Sequence, residues 1–149
     1  MFLNKGNTLS KNGIYGVNLW SLGVPHTVIV DDWLPLKASS DGTPSTMFAK
    51  VADDGSLWAP LLEKAFAKYQ GNYEHIRSGD SKIAFKTLVG APSFKITHKQ
   101  EGEATTVDLK ELWEALVEHT SDGQTITAGT PDGPGGDESQ FNNGLYYGH

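Results

Sequence analysis

The first regular pattern along the chain is an alternation of apolar and small or polar residues. In Ile14-Tyr-Gly-Val-Asn-Leu-Trp20, Tyr15, Val17 and Leu19 fall on one face of an extended strand. Ser21-Leu22-Gly23 separates this run from a second β-rich run, Val24-Pro-His-Thr-Val-Ile-Val30, and the pair predicts an antiparallel hairpin. Pro25 has no N–H to give to a ladder, which confines it to a strand start or an edge. Residues 39–45 carry the chemistry of a loop, and Met47 to Val51 reads as one more short strand.

The period then changes from 2 to 3.6. Trp58, Leu61, Leu62, Ala65, Phe66 and Tyr69 recur at helical spacing, with Glu63, Lys64 and Lys68 on the other side. Ser56 or Asp54 serves as a cap, Pro60 is tolerated only in the first turn, and Gly71 suits the residue after the end. A shorter helix is expected from Ser81 to Val89, capped by Asp80 and stopped by Gly90 and Pro92. Beyond it come a strand candidate at residues 94–97 and a helix on Leu109, Leu112, Trp113, Leu116 and Val117. Thr105 or Thr106 with Asp108 marks the start of that helix. Gln124 to Ala128 reads as a strand and residues 130–144 as a long exposed loop. Trp20, Trp58 and Trp113 occupy core positions of their elements. The content is α+β in two unequal parts, 1–92 and 93–149, and neither part has enough elements for a complete domain.

Composition narrows the function classes. The chain has 149 residues with 12 basic and 18 acidic side chains, a formal charge of −6. Phosphate neutralisation needs clustered Lys and Arg, so nucleic acid is not an expected partner. No stretch approaches the ~20 apolar residues that span a bilayer, so no membrane partner is expected either. The first residues lack the apolar run of a secretory signal, and the expected setting is the cytoplasm. Cysteine is absent, which excludes disulfides, thiolate-bound zinc and a thiol nucleophile supplied by these residues.

Few residues group into a site. His26, His75, His98, His119 and His149 show no zinc spacing. The first four read as structural or surface residues, His119 as a cation in the last turn of its helix. The pairs Asp31-Asp32 and Asp53-Asp54 place adjacent carboxylates on opposite faces and read as solvated turn residues. Asp132-Gly-Pro-Gly-Gly-Asp-Glu138 has the acids of a calcium loop without EF-hand spacing.

Two stretches carry a resemblance. Val28-Ile-Val-Asp-Asp-Trp-Leu-Pro35 after a hairpin resembles the Val-Asp-Asp-x-Leu-Pro segment of the calpain cysteine protease core. Leu57-Trp-Ala-Pro-Leu-Leu-Glu-Lys-Ala-Phe-Ala-Lys-Tyr-Gln-Gly-Asn-Tyr-Glu74 is similar to that family's Trp-x-x-Leu-Leu-Glu-Lys-Ala helix and its Gly-x-Tyr-Glu turn. The likeness is dense over residues 13–92 and thin over 93–142. It returns at Asn143-Gly-Leu-Tyr-Tyr-Gly-His149, similar to the segment bearing the family's catalytic histidine.

The resemblance implies a partial papain-like core. Residues 1–92 would be the C-terminal part of the first lobe, and 93–149 the start of the second, β-rich lobe. His149 would be the general acid and base. The Cys and oxyanion Gln would precede Met1 and the orienting Asn would follow His149, so these residues alone would be inactive. The family also implies calcium in a parent protein, but Ile83 stands where a first-lobe acid is expected. A hydrophobe cannot ligate a hard cation. No cofactor is expected in these residues themselves. The implied function is a segment of an intracellular cysteine endopeptidase acting on protein substrates. The alternative is a non-catalytic calpain-like module serving a larger assembly.

Overall fold

Tyr15, Val17 and Leu19 are buried along one face of β1 (Ile14–Ser21), as their alternation requires. β1 pairs antiparallel with β2 (Val24–Asp31), setting Tyr15 opposite Val30 and Val17 opposite Val28. The connecting turn is Leu22-Gly23, one residue shorter than the spacing suggests, because Ser21 pairs with Val24. Both turn residues have positive φ, +49° for Leu22 and +80° for Gly23. That is the twist a two-residue hairpin turn needs.

The computed structural model describes residues 1–3, 9–96, 107–131 and 144–148. The chain divides into two units, Met1–Lys95 and Ile96–His149. In the first unit the order is β1, β2, β3 (Leu36–Ala38), β4 (Pro44–Thr46), α1 (Trp58–Gln70), a 3-10 turn (Glu74–Ile76) and α2 (Ser81–Val89). In the second it is α3 (Leu109–Ser121) alone among the described residues. The architecture is α+β.

The core lies where α1 crosses the hairpin. Leu61 and Ala65 join Tyr15, Val17, Leu19 and Val30 in one cluster, flanked by Leu57, Leu62, Phe66, Tyr69 and Leu88. α1 packs on β1 and β2, and α2 on β1. Pro60 is buried in the first turn of α1, where its missing N–H breaks no helical bond. Asp80 caps α2, its Oδ1 accepting from Lys82 N at 2.8 Å. Gly90 ends α2 at φ +71°, so close to Trp20 that an added Cβ would stand 2.8 Å from the indole Cε3.

Several expectations are corrected. Met47 to Val51 forms no strand; the third and fourth strands are β3 and β4, whose Pro44 begins β4 inside the stretch expected to be loop. Ser39 N donates to Thr43 O at 2.8 Å and the Asp41 carboxylate accepts from Thr43 N at 3.0 Å, folding that stretch into a hairpin. The first residue of α1 follows Leu57, which offers no side-chain cap; Asp54 accepts from Ser56 N in the preceding turn instead. Trp58 and Trp113 are exposed rather than in a core, and Trp20 is half-buried. Residues 94–96 and 124–128 form no strand; Thr97 lies outside the described residues. The cap of α3 is Asp108, accepting from Lys110 N at 2.8 Å, while Thr105 and Thr106 lie outside the described residues. So does most of the expected loop 130–144.

Candidate functional site

α1 does more than cover the hairpin. Lys64 and Lys68 lie one turn apart and reach past the core to the backbone of β2. Lys64 Nζ donates to Asp31 Oδ1 at 2.5 Å, to Asp31 O at 3.2 Å and to Trp33 O at 2.5 Å. Lys68 Nζ donates to Ile29 O at 2.8 Å. The ammonium of Lys64 and the Trp33 N–H hold the Asp31 carboxyl below the usual carboxylate range. Asp31 is therefore an ion-pair partner of α1, not a solvated turn residue. Asp54 fits the turn role, its carboxyl also held low by Ser56.

On its next face α1 pins the chain that follows β4. Glu63 Oε2 accepts from Ala49 N at 2.8 Å. Phe48 stacks on Tyr73 with centroids 4.3 Å apart and planes 8° from parallel. Burial and the neighbouring Glu63 charge push the Tyr73 phenol up. Beside this stack lies a cleft of about 410 Å³ lined by Phe48, Glu63, Tyr73, Glu74, Ile76 and Arg77. Glu63, Lys64 and Lys68 read in the sequence as a solvent face, and these roles were missed. The signal for the lysines was their spacing of four, which sets both on one flank of the helix.

In the second unit, Thr130 Oγ1 donates to Tyr146 O at 2.6 Å and Gly148 N donates to Pro131 O at 3.0 Å. Residues 144–148 are thus tied alongside Thr130 and Pro131. His149 itself lies outside the described residues, as do His98 and the acidic stretch 132–138. His26 is exposed on β2, and His119 is in the last turn of α3. His75 braces the end of α1, its Nδ1 lying 2.8 Å from Gln70 O.

A hairpin followed by the amphipathic Leu-Leu-Glu-Lys-Ala helix is the order of elements that the sequence resemblance implies. The pattern described as "Calpain family cysteine protease" matches residues 2–149. The chain belongs to the calpain family of cysteine proteases. It is 31 % identical over 140 residues to the calpain-type cysteine protease ADL1 of Oryza sativa subsp. japonica, covering 94 % of this chain and 6 % of that protein. It is 30 % identical over 151 residues to Calpain-14 of Homo sapiens, covering 99 % of this chain and 19 % of that protein. To Calpain-12 of Homo sapiens it is 38 % identical over 78 residues, covering 52 % of this chain and 10 % of that protein. The chain therefore spans between 6 % and 19 % of the length of these calpains.

The family resemblance implies calcium in a parent protein. Ile83 stands on α2 with 53 % of its surface exposed and offers no oxygen. No group of three or more His, Asp or Glu side chains converges among the described residues. No helix among them is long and apolar enough to cross a membrane.

Proposed function

We propose that this calpain-family chain is the part of a cysteine endopeptidase that joins the nucleophile-bearing segment of the first lobe to the histidine of the second. The observation that carries the reading is a family match over residues 2–149 in a sequence with no cysteine. A thiol protease needs a thiolate, an imidazole within hydrogen-bond reach and a group that orients the imidazole. His149 is the proposed imidazole. It takes the thiol proton as the sulfur attacks the peptide carbonyl and returns a proton to the leaving amine. The nucleophile and the orienting group come from outside these residues, and the substrates are proteins.

In this reading unit 1 is scaffold. The hairpin, α1 and α2 form the back of the first lobe, and the bonds at Thr130 and Pro131 hold the backbone leading to His149. The test is the native polypeptide. Intact mass and peptide mapping are expected to give a chain longer than 16.1 kDa, with a Cys before Met1 and an Asn after His149. In that polypeptide His149→Ala abolishes peptide hydrolysis and leaves the unfolding midpoint unchanged. A native mass of 16.1 kDa, or hydrolysis retained in the variant, overturns the reading.

A further inference from the structure

The hairpin has two edges, and the chain treats them differently. The outer edge of β1 is occupied: Leu3 N donates to Gly16 O and Asn18 N to Met1 O, both at 2.8 Å. No strand lies beside the outer edge of β2 among the described residues. The turn closes on the pair Ser21 and Val24, so Val24, His26, Val28 and Val30 direct their backbone groups to β1. Pro25, Thr27, Ile29 and Asp31 direct theirs outward. Outward N–H and C=O groups are a template for an added strand.

At three of those four positions one outward group is blocked, each by chemistry already described. Pro25 has no N–H to offer. Ile29 O is taken by Lys68, and Asp31 O by Lys64. The spacing suits the task. Residues four apart on a helix are separated by about 6 Å and residues two apart on a strand by about 6.8 Å. Two lysines one turn apart therefore meet alternate carbonyls of a strand running beside them. Thr27 alone carries neither device.

We propose that Lys64 and Lys68 are an edge guard that keeps β2 from pairing with the β2 of a second copy of this chain. A second copy is the occupant because a strand edge pairs with its own twofold image in antiparallel register without any other partner. The β-branched run Val28-Ile-Val30 also favours extended pairing. The edge of β1 is excluded, since residues 1–3 already fill it.

The experiment removes the donors and keeps the stems. Lys64→Met with Lys68→Met retains the aliphatic chain of each side chain and abolishes its N–H groups. In the 149-residue chain, sedimentation equilibrium should show concentration-dependent dimerisation beyond that of the wild type. Hydrogen exchange should show new protection at the Thr27 and Ile29 amides. Adding Thr27→Pro removes the outward N–H of the one position where neither group is blocked, in the middle of the edge and without touching the backbone bonds to β1, and it should return the mass to the wild-type value. A folded double variant with wild-type mass overturns the proposal. So does association that Thr27→Pro does not reverse, which would place the contact on an apolar surface elsewhere. If the double variant loses its helical circular dichroism, Lys68→Met alone decides, since it keeps the Lys64–Asp31 pair. An association reversed by Thr27→Pro supports the guard, and none overturns it.

Discussion

Leu22 is the most informative single position for testing the local physics. It is the only non-glycine described residue with positive φ, at +49°, and its side chain is fully solvent-exposed at the tip of the hairpin. A branched side chain in the left-handed region costs about 1–2 kcal/mol, because its Cβ crowds the following carbonyl. Here no packing offsets that cost. Asparagine tolerates the conformation and is favoured before glycine in a two-residue turn. Leu22→Asn should therefore stabilise the chain by about 1 kcal/mol, the larger part of the strain. For a unit the size of Met1–Lys95 that is a rise of about 4–8 °C in midpoint. Thermal and urea unfolding followed by circular dichroism at the helix band read the change. The complementary substitution is Gly23→Ala. Gly23 has φ +80° and nothing within 4 Å of an added Cβ, so the loss is purely conformational, about 1 kcal/mol. A neutral or destabilising Leu22→Asn, with Gly23→Ala also neutral, would refute the left-handed turn and the argument built on it.

Four further outcomes follow from the packing and charge. Gly90→Ala combines positive φ with collision against Trp20, and should cost about 2–4 kcal/mol. Gly55→Ala, with φ +80° and open space, should cost only about 1 kcal/mol in the same urea titration. Leu61→Ala empties a site that is 2 % exposed between α1 and the hairpin, and should lower stability by about 2–5 kcal/mol in chemical denaturation. The carboxyls of Asp31, Asp54 and Asp80 are held below their ordinary value of 3.8 by Lys64, Ser56 and the Lys82 N–H respectively. Lowered folded-state values mean stability fully present above pH 3.8 and lost as pH falls through the folded values. Asp31→Asn should flatten the acid limb of a midpoint-versus-pH curve, and an unchanged slope would count against the Lys64 pair.

What the sequence disclosed followed the strength of each local signal. The β1–β2 hairpin, α1, α2 and α3 were readable because each combines a clean period with a stop or a cap. α2 emerged with the bounds that Asp80 and Gly90 dictate. β3 and β4 were not readable, since three-residue strands are too short to show a period and Pro44 looks like loop. Trp58 and Trp113 occupy apolar stripes, yet a stripe says which face is apolar and not whether anything covers all of it. Lys64 and Lys68 were misread for a related reason. Hydrophobic periodicity has no term for a long amine that crosses a helix flank to reach carbonyls 33 and 39 residues away in sequence. Family membership was legible from the Val-Asp-Asp-x-Leu-Pro and Leu-Leu-Glu-Lys-Ala stretches, which encode this same junction of strand and helix.

The closeness of Gly90 to Trp20 has an optical consequence. Trp33, Trp58 and Trp113 are 84 %, 59 % and 67 % exposed, so their emission should already lie near that of indole in water. Trp20 alone is half-buried, with the end of α2 laid across its ring. The blue-shifted part of the native spectrum thus belongs to a single chromophore at a single junction. A change in emission wavelength would report the seating of α2 on β1, while the other three indoles contribute a nearly constant background.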